Sequence, residues 1–156
     1  MPSERLDRTD RHLVAELQQD ARLSNKELAA RVGLAPSTCL ERVRALRARG
    51  VLRGFHAEVD PNALGRGLQA FVAVRIRPHS RPQVEGFWTY ALGLPEVIEV
   101  FHVTGADDFI LYVGVADTDA LRDLVLDRLT VRPEVGHVET RIVYMHERRW
   151  SLEALD

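Results

Sequence analysis

Apolar residues recur at helical spacing in three short runs within the first 50 positions. The first run predicts a helix that is capped by Asp7, carries Asp10 in its first turn and ends near Gln19. Its apolar members are Leu6, Leu13, Val14, Leu17 and Ala21. We expect this helix to contribute mainly to a hydrophobic core.

The second and third runs predict two shorter helices joined by a tight turn. Ser24 and Glu27 form a capping box that opens the second helix, and Gly33 ends it. Pro36 suits the first position of the third helix, which we expect to run to about Arg49. Two short helices joined by a turn that contains glycine are typical of a helix-turn-helix.

Beyond residue 60 the pattern changes to alternating extended and helical segments. We predict strands at 69–77, 97–104, 109–115 and 138–145 and helices at 82–92 and 119–129. This βαββαβ order is that of a ferredoxin-like domain, in which four antiparallel strands carry both helices on one face. The other face is left bare, with Phe71, Ile110 and Tyr112 as candidate lining residues, so we expect a second copy of the chain to cover it in a dimer.

Turn-forming residues between these two parts place the domain boundary. We interpret residues 51–59 as an extended segment or wing, and the segments Asp60-Pro61-Asn62 and Gly65-Arg66-Gly67 as a linker. The fold class predicted is therefore α+β. It comprises a winged helix-turn-helix domain at 1–60 with its helix-turn-helix at about 25–44, a linker at 61–67 and a second domain at 68–156.

Composition restricts the class of protein. The chain has 156 residues, of which 46% are apolar, and its single cysteine is Cys39. It is long enough for two small domains, and one cysteine allows neither an internal disulfide nor a multi-cysteine metal site. No apolar run reaches the length of a signal peptide or a membrane span, so we expect a cytoplasmic protein.

The formal net charge of −2 conceals an asymmetry between the two predicted domains. Residues 1–62 carry 11 Lys and Arg against 9 Asp and Glu, whereas residues 63–156 carry 10 against 14. Within residues 36–54 five arginines accompany a single acidic residue, Glu41. Positive charge concentrated in one short stretch is a feature of nucleic-acid-binding surfaces.

That basic stretch is the third helix, and its two sides differ. Cys39, Val43 and Leu46 form an inward stripe, and small polar residues flanked by arginines lie on the opposite ridge. Such a ridge fits a major groove, where it can meet base edges while arginines reach phosphates. A merely solvated face is the commoner meaning of an isolated basic helix, but the capped preceding helix and tight turn favour DNA binding. The candidate DNA-binding residues are Ser37, Thr38, Glu41, Arg42, Arg44, Arg47, Arg49 and Arg53.

A second candidate site is the loop Thr104-Gly105-Ala106-Asp107-Asp108 between two predicted strands. Gly105 allows the backbone to approach a ligand closely, and two adjacent carboxylates can accept hydrogen bonds from an α-ammonium group. A plain hairpin turn is the commoner meaning of such a segment. The six histidines are scattered without metal-ligand spacing, and no nucleophile or phosphate-loop motif is present, so we expect neither a metal site nor an enzyme.

A set of short motifs runs through both predicted domains. It includes Leu6-Asp7, Glu27-Leu28-Ala29, Val32-Gly33-Leu34, Gly50-Val51-Leu52, Asp60-Pro61, Pro95-Glu96-Val97 and Thr104-Gly105. In combination these motifs resemble those of the Lrp/AsnC, or feast/famine, transcription regulators. The resemblance implies a winged helix-turn-helix joined to an effector domain of the RAM type, dimers that assemble into octamers or related forms, double-stranded DNA as partner, and an amino acid rather than a cofactor as ligand.

The resemblance also implies where an effector binds. Members of that family bind amino acids between dimers, around the loop that matches Thr104 to Phe109 and near the start of the last strand of a neighbouring subunit. Carried over by position, the candidate effector-binding residues are Val103, Thr104, Gly105, Ala106, Asp107, Asp108, Val138 and Thr140.

The sequence departs from the family pattern at three places. Ala35 stands where a serine that caps the recognition helix is frequent, Ala106-Asp107 replaces a polar-aromatic pair, and Val138 occupies a position where threonine is frequent. No named amino acid is therefore transferred as the effector. We expect a transcription regulator whose assembly or DNA affinity responds to an amino acid, with an effector-independent DNA-bridging architectural protein as the alternative.

Overall fold

The computed structural model describes residues 5–153, which form two compact units. One unit, here called the helical unit, contains the chain up to Ala57 together with the tail from Glu147 onward. The other, the sheet unit, spans Glu58–His146. The tail thus groups with the helical unit, whereas the sequence assigned it to the second domain. No helix within residues 5–153 is both long and apolar enough to cross a membrane.

The helical unit contains the three predicted helices. They are α1 (Arg8–Gln19), α2 (Asn25–Val32) and α3 (Pro36–Ala48). Asp7 caps α1 by accepting a hydrogen bond from the Asp10 amide at 2.7 Å, and Ser24 and Glu27 form the predicted capping box of α2. At α3 no side chain caps the first turn, because the residue at the cap position is Ala35.

A small apolar core holds these helices together. Its buried members are Leu13, Leu17, Leu28, Ala29, Cys39 and Leu46. Burial raises the pKa of the Cys39 thiol, which is fully covered and behaves as the inward-facing hydrophobe that the sequence predicted.

The segment after α3 differs from a paired wing. Residues 51–60 contain neither helix nor strand, so the predicted extended segment is present without a β-ladder. The reason is that this stretch supplies a single extended run, and a ribbon needs a second strand to satisfy its backbone groups. The tail lies in the same unit, where the Gln18 amide donates to the Leu152 carbonyl at 3.1 Å and accepts from its N–H at 2.8 Å.

The sheet unit has the predicted βαββαβ order. Its elements are β1 (Leu68–Ile76), α4 (Arg81–Leu92), β2 (Val97–His102), β3 (Phe109–Val115), α5 (Thr118–Asp123), a π-helical turn (Leu124–Leu129) and β4 (Val135–Ile142), preceded by a short 3₁₀ helix (Pro61–Leu64). All strand pairs are antiparallel, and the order across the sheet is β2-β3-β1-β4. The predicted ferredoxin-like fold is confirmed.

The last two elements of the sheet unit differ most from the sequence prediction. Strand β4 begins at Val135 and ends at Ile142, three residues earlier at each end than predicted, because β1 fixes its register: Ile76 lies opposite Val135 and Ala70 opposite Ile142. The predicted helix 119–129 changes from α to π spacing at Leu124. Neither change alters the topology.

The two faces of the sheet are unequally covered. One face packs on the helices through a core that includes Val72, Leu111 and Phe87, all without exposed surface. The other face is open around Phe71, which is 36% exposed, and Ile110 beside it is partly buried. Tyr112 lies on this face as predicted, but its own chain covers it: the ring packs against Phe71 and His146, and the hydroxyl donates to Gln69.

Candidate nucleic-acid interface and effector site

Helix α3 presents the predicted polar ridge to solvent. Its apolar stripe is buried in the core, with Cys39 and Leu46 fully covered. The exposed side chains of the opposite ridge are Ser37, Thr38, Glu41, Arg44 and Ala45. The dimensions of a helix with such a ridge match a major groove.

Arg42 is not free on this surface, although the helical wheel placed it beside the ridge. Its Nη1 atom donates to Oδ2 of Asp7 at 2.7 Å and to Oδ1 of Asp10 at 2.8 Å. The pKa of Asp7 is lowered, first by the hydrogen bond from the Asp10 amide and then by the one from Arg42. The pKa of Arg42 is raised in turn, chiefly by its hydrogen bond to Asp7.

Arg49 lies on the same edge of α3 and shares a partner with Arg42. Its Nη1 atom is 3.5 Å from Oδ2 of Asp10, a residue that is only 7% exposed. The two arginines are seven positions apart, or two helical turns, and α1 packs along that edge. Two of the arginines predicted to contact DNA therefore form ion pairs within the helical unit. The sequence prediction missed these pairs because a helical wheel gives the direction of a side chain and not what packs against it.

The opposite edge of α3 keeps its positive charge unpaired. Arg44 and Arg47 on this edge are exposed, as is Arg53 in the segment after α3, and no ion pair within residues 5–153 involves any of the three. Leu40 lies on the same edge and is 39% exposed. The structure thus divides the predicted arginines into a paired edge that faces α1 and a free edge that faces solvent.

Two further contacts orient the helices of the turn motif. The Asn25 side chain donates to the Pro36 carbonyl at 2.8 Å and joins the first turn of α2 to the first turn of α3. Glu16 of α1 pairs with Arg31 of α2 at 3.0 Å. Sequence reasoning missed both contacts, because residues on separate helices carry no spacing signal that marks them as partners.

The predicted loop in the sheet unit is a tight connection between β2 and β3. Thr104, Gly105 and Ala106 are exposed, and Gly105 has φ = 121°, a conformation that requires glycine. The loop closes through a hydrogen bond of 2.9 Å from the Val103 amide to the Asp108 carbonyl. Its backbone is therefore accessible in the way the sequence predicted.

Both carboxylates of the loop already have partners within the sheet unit. Asp108 accepts from the Ile76 amide at 2.7 Å and lies 3.1 Å from the His79 imidazole. Asp107 lies 3.7 Å from Nη2 of Arg75, and the same guanidinium donates through Nε to the Ala106 carbonyl at 2.6 Å. Arg75 and His79 were missed by the sequence analysis, since only the register of β1 brings them to the loop.

The remaining predicted effector residues lie elsewhere on the sheet. Val138 is partly buried against the core and Thr140 is exposed, both on β4. Strand β1 lies between β3 and β4, which places β3 and β4 about 10 Å apart. One copy of the chain therefore does not bring Thr140 to the loop.

A cavity of about 470 Å³ lies beside the loop. It is lined by Val84, Glu85, Trp88, Thr89, His102 and Phe109. His102 and Phe109 come from the strands that flank the loop, and their rings stack with centroids 4.9 Å apart. The volume falls within the range of small-molecule sites. Apart from Phe109, which ends the predicted loop, no pattern in the sequence marked these residues, since they come from three separate elements.

Two family models match the chain. The AsnC-type helix-turn-helix domain matches residues 6–47, and the Lrp/AsnC ligand binding domain matches residues 69–149. The two matches coincide with α1–α3 and with the sheet unit from β1 onward.

Relatives match over most of their length. The transcriptional regulator AldR of Mycolicibacterium smegmatis is 41% identical over 92% of this chain and 84% of its own. The leucine-responsive regulatory protein of Escherichia coli K12 is 39% identical over 91% and 87%. Among solved structures, a Neisseria meningitidis regulator in complex with L-Met superposes with a TM-score of 0.86 at 35% identity, covering 95% of this chain and 96% of that one.

Proposed function

The chain belongs to the Lrp/AsnC family of transcription regulators, and we propose that it binds specific DNA sequences with an affinity or assembly that an amino acid controls. The observation that carries the DNA-binding half is the free edge of α3, where Arg44 and Arg47 lie beside an exposed polar ridge and form no ion pair within residues 5–153. Unpaired cations on a recognition helix are available to phosphates and base edges without first breaking an ion pair.

The DNA contacts follow from that division of α3. We assign base contacts to Ser37, Thr38, Glu41 and Arg44 and phosphate contacts to Arg47 and Arg53. The test is to select duplexes from a random-sequence pool with the wild-type protein. A selected duplex that binds no better than a scrambled one of the same composition would refute sequence-specific binding.

We further propose that a second copy of the chain covers the open face of the sheet. Phe71 and Phe101 are 36% and 42% exposed there; the strand neighbours of Phe71, Ala70 and Val72, are core residues, and Phe101 lies opposite Ile110 of the same face. An apolar sheet face of this kind is stabilised when it is removed from water. Sedimentation velocity of wild type and Phe71→Glu tests this, because a charge in the interface should yield monomers.

For the sensing half we propose an amino acid at the loop of residues 103–108. Support comes from the exposed backbone around Gly105, from the adjoining cavity, and from the L-Met bound to the Neisseria meningitidis relative. A ligand regulates only if it binds one assembly or conformation more tightly than another, which a site shared between copies provides. Val138 and Thr140 would join the loop from such a neighbouring copy.

Thermal denaturation in the presence of each of the twenty amino acids tests the sensing half. A ligand at 100 times its Kd adds about 2.7 kcal/mol to the free energy of unfolding. The measurement is paired with binding to the selected duplex, with and without the stabilising amino acid. A ligand that stabilises the protein without changing DNA affinity or assembly would refute regulation.

One observation favours an effector-independent architectural protein as the second candidate. The carboxylates of Asp107 and Asp108, which the sequence offered to an α-ammonium group, are already paired with Arg75, Ile76 and His79. If none of the twenty amino acids shifts the melting temperature, and the protein still bridges DNA, this second function is the one supported.

A further inference from the structure

One edge of the recognition helix is joined to α1 by a cluster of two acids and two arginines. Asp7 and Asp10 supply the carboxylates, and Arg42 and Arg49 supply the guanidinium groups. Asp10 is 7% exposed, so its charge depends on these partners for compensation.

We propose that Arg42 is a positioning residue that fixes the angle of α3 against α1 and makes no contact with DNA. The proposal rests on the DNA binding proposed above and assigns Arg42 a role different from that of Arg44. The sequence-based prediction treated Arg42 and Arg44 as equivalent residues on either side of the ridge, and the proposal replaces it for Arg42.

The geometry of the cluster makes it suited to hold an angle. A single nitrogen of Arg42 binds both carboxylates, at 2.7 and 2.8 Å. Asp7 is at the same time the N-cap of α1, through its 2.7 Å bond from the Asp10 amide. The guanidinium is therefore anchored to the start of α1 itself rather than to a mobile side chain.

The same geometry argues against a phosphate contact. To reach DNA, Arg42 would have to leave two carboxylates, one of them nearly buried, and among the described residues Asp10 would retain only the longer contact to Arg49 at 3.5 Å. The two carboxylates would also repel a phosphate brought close to that edge. The free edge that carries Arg44 and Arg47 has no acidic partner in the described ion pairs.

Salt dependence separates positioning from direct contact. A lysine or arginine that neutralises one phosphate contributes about one unit to the slope of log K against log salt concentration, whatever the DNA sequence. A positioning residue contributes nothing to that slope, but its loss misaligns the ridge and lowers the preference for the selected duplex over a scrambled one.

The experiment measures affinity for the selected and the scrambled duplex over a range of salt concentrations. Arg42→Gln is expected to lower the preference for the selected duplex about tenfold, the effect of one lost base contact, with the wild-type salt slope. Arg47→Gln, the matched control on the free edge and a proposed phosphate contact, is expected to reduce the slope by about one unit.

Substitutions of the two acids that bind Arg42 test the same cluster from α1. Asp10→Asn should lower the same preference, and combining it with Arg42→Gln should add little, because both changes break one cluster. Asp7 is exposed, and Asp7→Asn keeps a residue that can cap the helix. This variant therefore reports on the cluster even if Asp10→Asn does not fold.

The outcomes distinguish the proposals. Arg42→Gln with a reduced slope and an unchanged preference would show a phosphate contact and overturn the positioning role, as would a variant indistinguishable from wild type. The positioning role would also be overturned if Asp7→Asn or Asp10→Asn increased the preference for the selected duplex. A wild-type protein that selects no sequence would instead refute the proposed function.

Discussion

The two candidate sites of this protein hold their charges in opposite ways. On α3 in the helical unit, the arginines that face α1 are paired, and those that face away form no ion pair in the part of the chain that the structure describes. In the loop of the sheet unit, both carboxylates are paired within the unit. A polyanion can bind free cations directly, whereas a ligand that needs those carboxylates must replace an existing partner. The first site can therefore bind a polyanion without losing an ion pair, whereas a ligand that needs the carboxylates of the second site must first displace Arg75 or His79.

The largest effect is expected from a substitution that weakens the core of the helical unit and leaves the core of the sheet unit intact. Leu46→Ala should destabilise the helical unit by about 2–5 kcal/mol, because Leu46 has no exposed surface and its loss leaves a cavity. Leu40→Ala is the matched control, since Leu40 is on the same helix and 39% exposed. Hydrogen exchange resolved by peptide checks it: amides of α1–α3 should lose protection in Leu46→Ala, and equal loss in the control would contradict the assignment of the core.

The second test addresses the paired loop. Asp108→Ala should destabilise the sheet unit by about 1–3 kcal/mol, because it leaves the amide of the buried Ile76 without its acceptor. Asp108→Asn keeps an acceptor oxygen and should cost less. Chemical denaturation measures both, with DNA affinity recorded beside it. If Asp108→Ala were as stable as wild type, Asp108 would be available to a ligand rather than engaged in holding β1.

The third test concerns the free edge of α3. Arg44→Ala should weaken binding to the selected duplex by about 1–3 kcal/mol, the range for one lost base contact. Its thermal stability should match that of wild type, because no ion pair of Arg44 is lost in the described structure. Fluorescence anisotropy at fixed salt gives the affinity. Unchanged affinity would remove Arg44 from the interface.

The parts of this structure that could be predicted from the sequence are those that depend on the spacing of residues near each other in the chain. The capping box of Ser24 and Glu27, the glycine at position 33 and the βαββαβ order all depend on neighbours within a few residues, and the structure confirms each. Family resemblance added the identity of the two domains, and the matches to residues 6–47 and 69–149 confirm it.

What the sequence could not predict is which polar groups meet across elements. Arg42 and Arg44 are two positions apart and look alike in sequence, yet only Arg42 reaches acids that lie more than 30 positions earlier. Asp108 is likewise joined to β1 by the sheet register rather than by any motif. Pairings of this kind depend on packing angles, and these decide which charges remain free for a partner.

A smaller effect is expected from completing the cap of α3. Ala35→Ser places a hydroxyl at the cap position, where no side chain now accepts from the first turn, and should stabilise the helical unit by about 1 kcal/mol. Ala35→Val is the control, since valine adds side-chain bulk but, like alanine, is a poor cap residue that supplies no acceptor. Thermal melts compare the two. No gain with serine would indicate that the first turn of α3 already has a partner.

The smallest expected effect is a pH dependence at the start of α1. The pKa of Asp7 lies below its ordinary value of 3.8, so its charge stabilises the folded state above that pH, and this contribution is lost as the pH falls through the lowered pKa. Glu27, whose pKa is lowered by hydrogen bonds from Ser24, behaves alike in α2. Asp7→Asn keeps the cap without a titrating group, so its stability should fall less steeply than that of wild type between about pH 4 and pH 2. Denaturation midpoints across this window measure the difference, and parallel curves for the two proteins would show that the negative charge of Asp7, held by the Asp10 amide and by Arg42, contributes nothing to folding.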